Sequence, residues 1–188
     1  MARFYSDHMN SNATPGVSAL AGTAAFDSQR RSPPGLGHSR VYSQIARMTV
    51  GTAAIGDELR FITLRSGDRL GHLYVSSAGT STALLVDIGL YLHGAGINAG
   101  VGAVIDADLF ATAVDVNAGL ARTDEFTEAT TLDDENRWTT LWEQAAVGAG
   151  TDTVDPQLDY DIVLTPTAAL TTVVEEIVVE AVYKSSGS

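Results

Sequence analysis

The sequence predicts a mainly β protein, an antiparallel β-sandwich with one or two short helices and an extended N-terminal arm. Three observations point there. Residues Thr82–His93 alternate large aliphatic with mixed positions at period two, the mark of a half-buried strand. Further short segments rich in β-branched and aromatic residues recur between glycine-containing turns, as in a two-layer sandwich. The leading forty residues show neither helical nor strand period and are rich in Ser, Gly, Ala, Pro and Asn.

In chain order, residues 1–40 read as the arm and 41–188 as the sandwich body. Phe4, Tyr5, Val17, Leu20, Phe26 and Leu36 are sparse anchors for an extended strap, and Ser32–Arg40 is a stiff, turn-prone junction. Tyr42–Val50 is a mostly polar stretch interrupted by Ile45 and Met48. Glu58–Leu64 is a strand in which Leu59 and Phe61 alternate with Arg60 and Ile62. Ser66–Arg69 is a turn, with Gly67 able to take positive φ, and Leu70–Ser77 is the returning strand. Ala78–Ser81 turns the chain into Thr82–His93. There Thr82, Leu84, Val86, Ile88, Leu90 and Leu92 share one face, while Asp87 and Gly89 leave the other mixed and partly open.

Asp106–Val114 begins with carboxylates and suits one or two helical turns capped by Asp106. Thr131–Ala146 is a helix with acids in its first turn and Trp138, Leu141, Trp142 and Ala145 on one face, closing one end of the sheet. Gly148–Gln157 is a loop. Asp159–Thr167 returns to period two, with Pro166 ending the ladder or marking an edge. Thr171–Lys184 is β-branched enough to be a strand, with a bulge where Val173-Val174 and Glu175-Glu176 break the alternation.

A chain of 188 residues with 45% hydrophobic content can bury a core, and without Cys it has no disulfide or thiolate chemistry. The apolar runs fall short of a bilayer span and the N-terminus lacks a signal-type pattern, so a soluble protein not secreted by the usual route is expected. The net charge of −12 is unevenly spread. Residues 1–69 carry eight arginines against five carboxylates, whereas residues 70–188 carry three cations against 18 carboxylates. Such an acidic body argues against nucleic acid as the main partner, and the mildly basic leader suits an acidic protein surface.

No constellation supports catalysis. The carboxylate groups Asp106/Asp108 and Asp133–Glu135 sit where helix N-termini welcome negative charge, and Glu175/Glu176 read as a solvated edge or bulge. His8, His38, His72 and His93 show no metal-ligand spacing, and the glycines of 94–102 match no phosphate-binding loop. Trp138 and Trp142 could form a sugar platform if exposed, although their four-residue spacing turns them toward a core. No enzyme activity, cofactor or metal is expected.

The order of Gly56–Val75, TALLVDIGLYLHG, DADLFATAVDVNAG, RWTTLWEQAAVG, LDYDIVLTPTAAL and VVEEIVVEAVYK resembles small virion structural proteins of tailed bacteriophages, the head decoration or cement proteins. The resemblance spans residues 56–184. It implies a jelly-roll-like body on the outer surface of the capsid, bound to the major capsid protein, commonly as homotrimers and with arms reaching across subunit boundaries. Nucleic acid and membrane are not partners in this reading. Arm residues Arg3, Phe4, Tyr5, Arg30, Arg31 and Arg40 would supply the charged and apolar anchors on the capsid. The rival expectations are a carbohydrate-binding β-sandwich acting as a host-surface adhesin, and a tail or connector component of the virion.

Overall fold

Nine strands and one α-helix organise the described residues of the computed structural model, which are 3–5, 41–79, 84–93, 102–116, 119–129, 131–149, 154–169 and 175–185. The strands are β1 (Arg3–Tyr5), β2 (Val41–Val50), β3 (Glu58–Arg65), β4 (Arg69–Gly79), β5 (Leu85–Leu92), β6 (Val104–Asp115), β7 (Thr123–Asp124), β8 (Asp159–Pro166) and β9 (Glu175–Lys184). The helix α1 (Leu141–Ala149) lies between β7 and β8. One sheet, sheet A, runs β1-β3-β8-β5-β6, and the other, sheet B, runs β2-β9-β4-β7.

The pairing is nested. β5 pairs with β6, β4 with β7, β3 with β8 and β2 with β9, all antiparallel. The body is thus one long hairpin with its tip at β5–β6, rolled so that its strand pairs alternate between two sheets. The roll is closed by β8 on β5 and β9 on β4. This is a jelly roll, a double-sheet β-sandwich with no sequential hairpin except at the tip. Among the described strands only β1 stands outside that pattern, running parallel to β3 with Arg3 opposite Glu58 and Tyr5 opposite Arg60.

The inner faces follow from the register. On sheet A, Leu59, Ile62 and Leu64 align with Leu164, Ile162 and Tyr160, and these with Ile88, Leu90 and Leu92. Sheet B answers with Ala46, Met48 and Val50 from β2, Leu73 and Val75 from β4, and Ile177, Val179 and Ala181 from β9, all buried. Removing each large aliphatic from water contributes about 1.5–3 kcal/mol, so this two-sided layer is what holds the roll closed.

The period-two reading of Leu84–Leu92 holds, and β8 does end at Pro166. Several expectations are corrected. Asp106–Val114 is strand, not helix, because the segment pairs with β5 as a sheet edge. The Asp106 carboxylate does accept an amide two residues on, from Asp108 at 3.2 Å, but this local bond shapes a bulge rather than capping a helix. The turn at Ser66–Arg69 does not make a hairpin, since β3 and β4 lie in different sheets. Its carbonyls are taken by α1, with Leu141 N donating to Asp68 O at 2.7 Å and Trp142 N to Ser66 O at 3.0 Å.

The long helix at Thr131–Ala146 is divided. Asp133 caps a short 3-10 turn, Asp134–Asn136, through a reciprocal bond with Asn136. The chain then bends through Trp138 at φ 65° before α1 begins. Strand β4 captures the bend, because Trp138 N donates to Leu70 O and Arg137 donates to Gly71 O. In β3 a bulge between Arg60 and Ile62 makes Phe61 the extra residue, so Leu59 is in phase with Ile62 rather than with Phe61. Glu175 and Glu176 stand in unbroken register with Val50 and Thr49 on β9, an interior strand and not an edge. Val173 and Val174, where the bulge was expected to start, lie outside the described residues.

Candidate interaction surface

Each sheet has an outer face, and the two differ in chemistry. On sheet A the outward positions of β3, β8 and β5 bring together Arg60, Glu58, Asp161, Thr63, Tyr91 and His93. Arg60 is 1% exposed and Asp161 0%, a depth at which unpaired charge is costly. Arg60 donates to Glu58 Oε2 at 2.7 Å, to Asp161 Oδ2 and to the Leu92 carbonyl, with its guanidinium 5.6 Å from the Tyr91 ring centre. Burial works against its charge, but the two carboxylates outweigh burial and hold Arg60 firmly protonated. Asp161 Oδ1 accepts from Thr63 Oγ1 at 2.8 Å and lies 2.7 Å from His93 Nδ1, which must carry the proton because a carboxylate only accepts. Arg60, Glu58 and Asp161 bind one another across strands, which makes the cluster a clamp across β3, β8 and β5.

Gly89 belongs to this same face, and it is not open as its sequence suggested. A Cβ there would overlap the Asp106 carbonyl oxygen and Ala107, because β6 leaves its ladder between Ile88 and Leu90 and folds against Gly89. The glycine is the space through which the edge strand passes.

The outer face of sheet B is accessible. Register sets Val41 beside Lys184 and Lys184 beside Arg69, Ser43 beside Val182 and Val182 beside His72. Ile45 then meets Glu180 and Tyr74, and Arg47 meets Val178 and Ser76. Val41 is 52% exposed and Ile45 58%. Arg47 reaches Glu176 at 3.5 Å, and Arg122 reaches Glu180 at 2.9 Å while lying 3.4 Å over the Tyr74 ring.

At one margin of this face, Asp124 accepts from His72 Nδ1 at 2.8 Å and from Arg137 at 3.0 Å. Burial acts to raise the Asp124 pKa. The His72 bond, the Leu73 amide, Arg137 and the Phe126 amide outweigh it and hold the carboxyl below the usual range. Glu125 beside it is pushed up by burial and by the Glu128 and Asp124 charges. Glu143 at the start of α1 is held down by the Thr140 hydroxyl and amide.

The tryptophans separate. Trp142 packs partly buried against the core, as expected. Trp138 leaves the helix face, lies on Gly71 so closely that a Cβ there would overlap its indole, and has the Lys184 ammonium 4.7 Å from its ring centre. Neither indole is laid out as an open sugar platform.

Of the arm residues singled out by sequence, Arg3, Phe4 and Tyr5 have their backbone in β1 along the edge of β3. Arg30, Arg31 and Arg40 lie outside the described residues. His72 and His93, scattered in sequence, each end on a carboxylate in a separate network. No group of three or more His, Asp or Glu among the described residues could hold a metal ion. Arg47, one of the cationic side chains of the outer face, lies on a strand, Val41–Val50, that the sequence reading treats as a mostly polar stretch. The signal was there in Ala46, Met48 and Val50 alternating with Ile45, Arg47 and Thr49.

No protein-family model and no curated protein sequence matches the chain. Among solved structures, a chain of the cyanophage Pam1 capsid asymmetric unit aligns at 16% identity over 86% of this chain and 98% of that one, with a TM-score of 0.43. A chain of the capsid of Ralstonia phage GP4 aligns at 13% identity over 85% of this chain and 93% of that one, with a TM-score of 0.54, so the two share a fold.

Proposed function

We propose that this chain is a virion structural protein of a tailed bacteriophage that decorates the outer surface of the head, bound to the major capsid protein and stabilising the lattice. The observation that carries the reading is the alignment of nearly the whole jelly roll with nearly the whole of a chain from the Ralstonia phage GP4 capsid, two chains of similar length. The segment order that resembles cement proteins supports it independently. In this reading residues 1–40 are the arm, with Arg3, Phe4, Tyr5, Arg30, Arg31 and Arg40 as its anchors, and residues 41–188 are the body. Copies act as a homotrimer, and neither nucleic acid nor membrane is a partner.

The mechanism is mass action. A protein that binds only the assembled lattice stabilises it by its own binding free energy, repeated at every site. Ordering an arm costs about 1–2 kcal/mol per residue in backbone entropy, so the arm must gain many contacts on the capsid. Electron cryomicroscopy of intact particles, with purified chain added back to undecorated heads, tests this. Density for the jelly roll on the head exterior is expected, and deletion of residues 1–40 should leave a folded body that no longer decorates. A chain that neither appears on heads nor binds them would overturn the reading.

A further inference from the structure

The rolled body segregates its charge. Arg47, Arg69, Arg122, Arg137 and Lys184 lie on or beside the outer face of sheet B against Glu176, Glu180 and Asp124, leaving these groups net positive on a chain of net charge −12. At the far edge of sheet A, β5 and β6 contain no Lys or Arg, and β6 carries Asp106, Asp108 and Asp115. Each surface also has an apolar part, Val41 and Ile45 on one and Val104, 52% exposed, on the other. They match in length, since β2 and β9 have 10 residues each and β6 has 12, roughly 33–40 Å at the rise of a strand.

We infer that the outer face of sheet B docks against the acidic β6 edge of a second copy of this chain. The two surfaces differ and sit on different sheets, so the contact is head to tail and a closed rotation produces a ring. Opposite charges set the register, while like-charge repulsion between acidic bodies disfavours other approaches. A face three strands wide is small beside a standard interface, so the association is weak and salt-sensitive. The inference does not depend on the chain decorating heads.

Sedimentation velocity of the full chain at low and high salt tests it. Concentration-dependent oligomers are expected at low salt, dissociating at high salt. Arg47→Glu with Arg69→Glu should weaken association by about tenfold or more, as should Asp108→Lys with Asp115→Lys. These four positions are exposed, and circular dichroism with melting checks that each variant folds. The variant carrying all four changes reverses both surfaces and should associate again, an outcome general destabilisation cannot produce. A chain monomeric at every salt concentration, or association indifferent to either reversal, overturns the inference. So does a folded four-position variant that stays monomeric. If Arg47→Glu with Arg69→Glu keeps its oligomer but loses binding to heads, the face serves the capsid instead, and the lattice reading stands while this inference falls.

Discussion

Arg60 shows how a single side chain can decide whether a sheet face is tolerable. It is the cation for two carboxylates, Glu58 and Asp161, at a site where all three are almost fully buried. Removing it leaves two buried anions without their counter-charge. Arg60→Leu should cost about 3–5 kcal/mol in urea unfolding, more than the pair itself contributes. Acid sensitivity has a different seat. Asp124 has a depressed pKa, so its contribution is present above the ordinary carboxylate range and is lost as pH falls through its folded value. Glu125 and Asp106 are raised, Asp106 by burial and a bond shared with Asp108, and their contributions run the other way, lost as pH rises through the folded values. Asp124→Asn should therefore be less stable than the parent at neutral pH, and the two melting curves should converge only as pH falls below the depressed folded pKa of Asp124, where both side chains are neutral. Melts that stay equally far apart across that range would show that Asp124 does not act through its charge.

At the scale of elements, β6 crosses against the backbone at Gly89 with no room for a side chain. The obstacle is backbone, which cannot rotate away as a flexible side chain could. Gly89→Ala should destabilise by about 1–3 kcal/mol or more, read as a lowered melting temperature. An alanine there without effect would mean that β6 is not pinned. The same strand shows where sequence reading stops. β5 and β8 were legible because one face of each is apolar at strict period two, and β9 because its β-branched residues leave little alternative. β6 was not, because its ladder is interrupted opposite Ile88 and Leu90, placing Leu109, Phe110 and Ala111 in a consecutive buried run. The bend at Trp138 was equally hidden, since Leu70 and Gly71, more than sixty positions earlier, supply the carbonyls that hold it. The candidate surface was missed for a simpler reason. Arg47, Arg69 and Lys184 come onto one face only when β2, β4 and β9 are placed side by side, and Arg122 joins them through Glu180 and Tyr74.

For the molecule as a whole, the nested pairing matters more than any one contact. In sheet B, β9 lies between β2 and β4, and among the described residues it is the only strand paired with β2. Truncation after Val174 should abolish cooperative unfolding, whereas a shortened tail ending at Ser185 should melt like the parent. A truncated chain that still gave a sharp transition would mean that β2 has another partner. The arrangement also sets a clock during synthesis. Until Glu175–Lys184 has been made, β2 waits without the neighbour it needs, and sheet B cannot assemble. Chains that stop before β9 are thereby kept from presenting the finished outer face of sheet B.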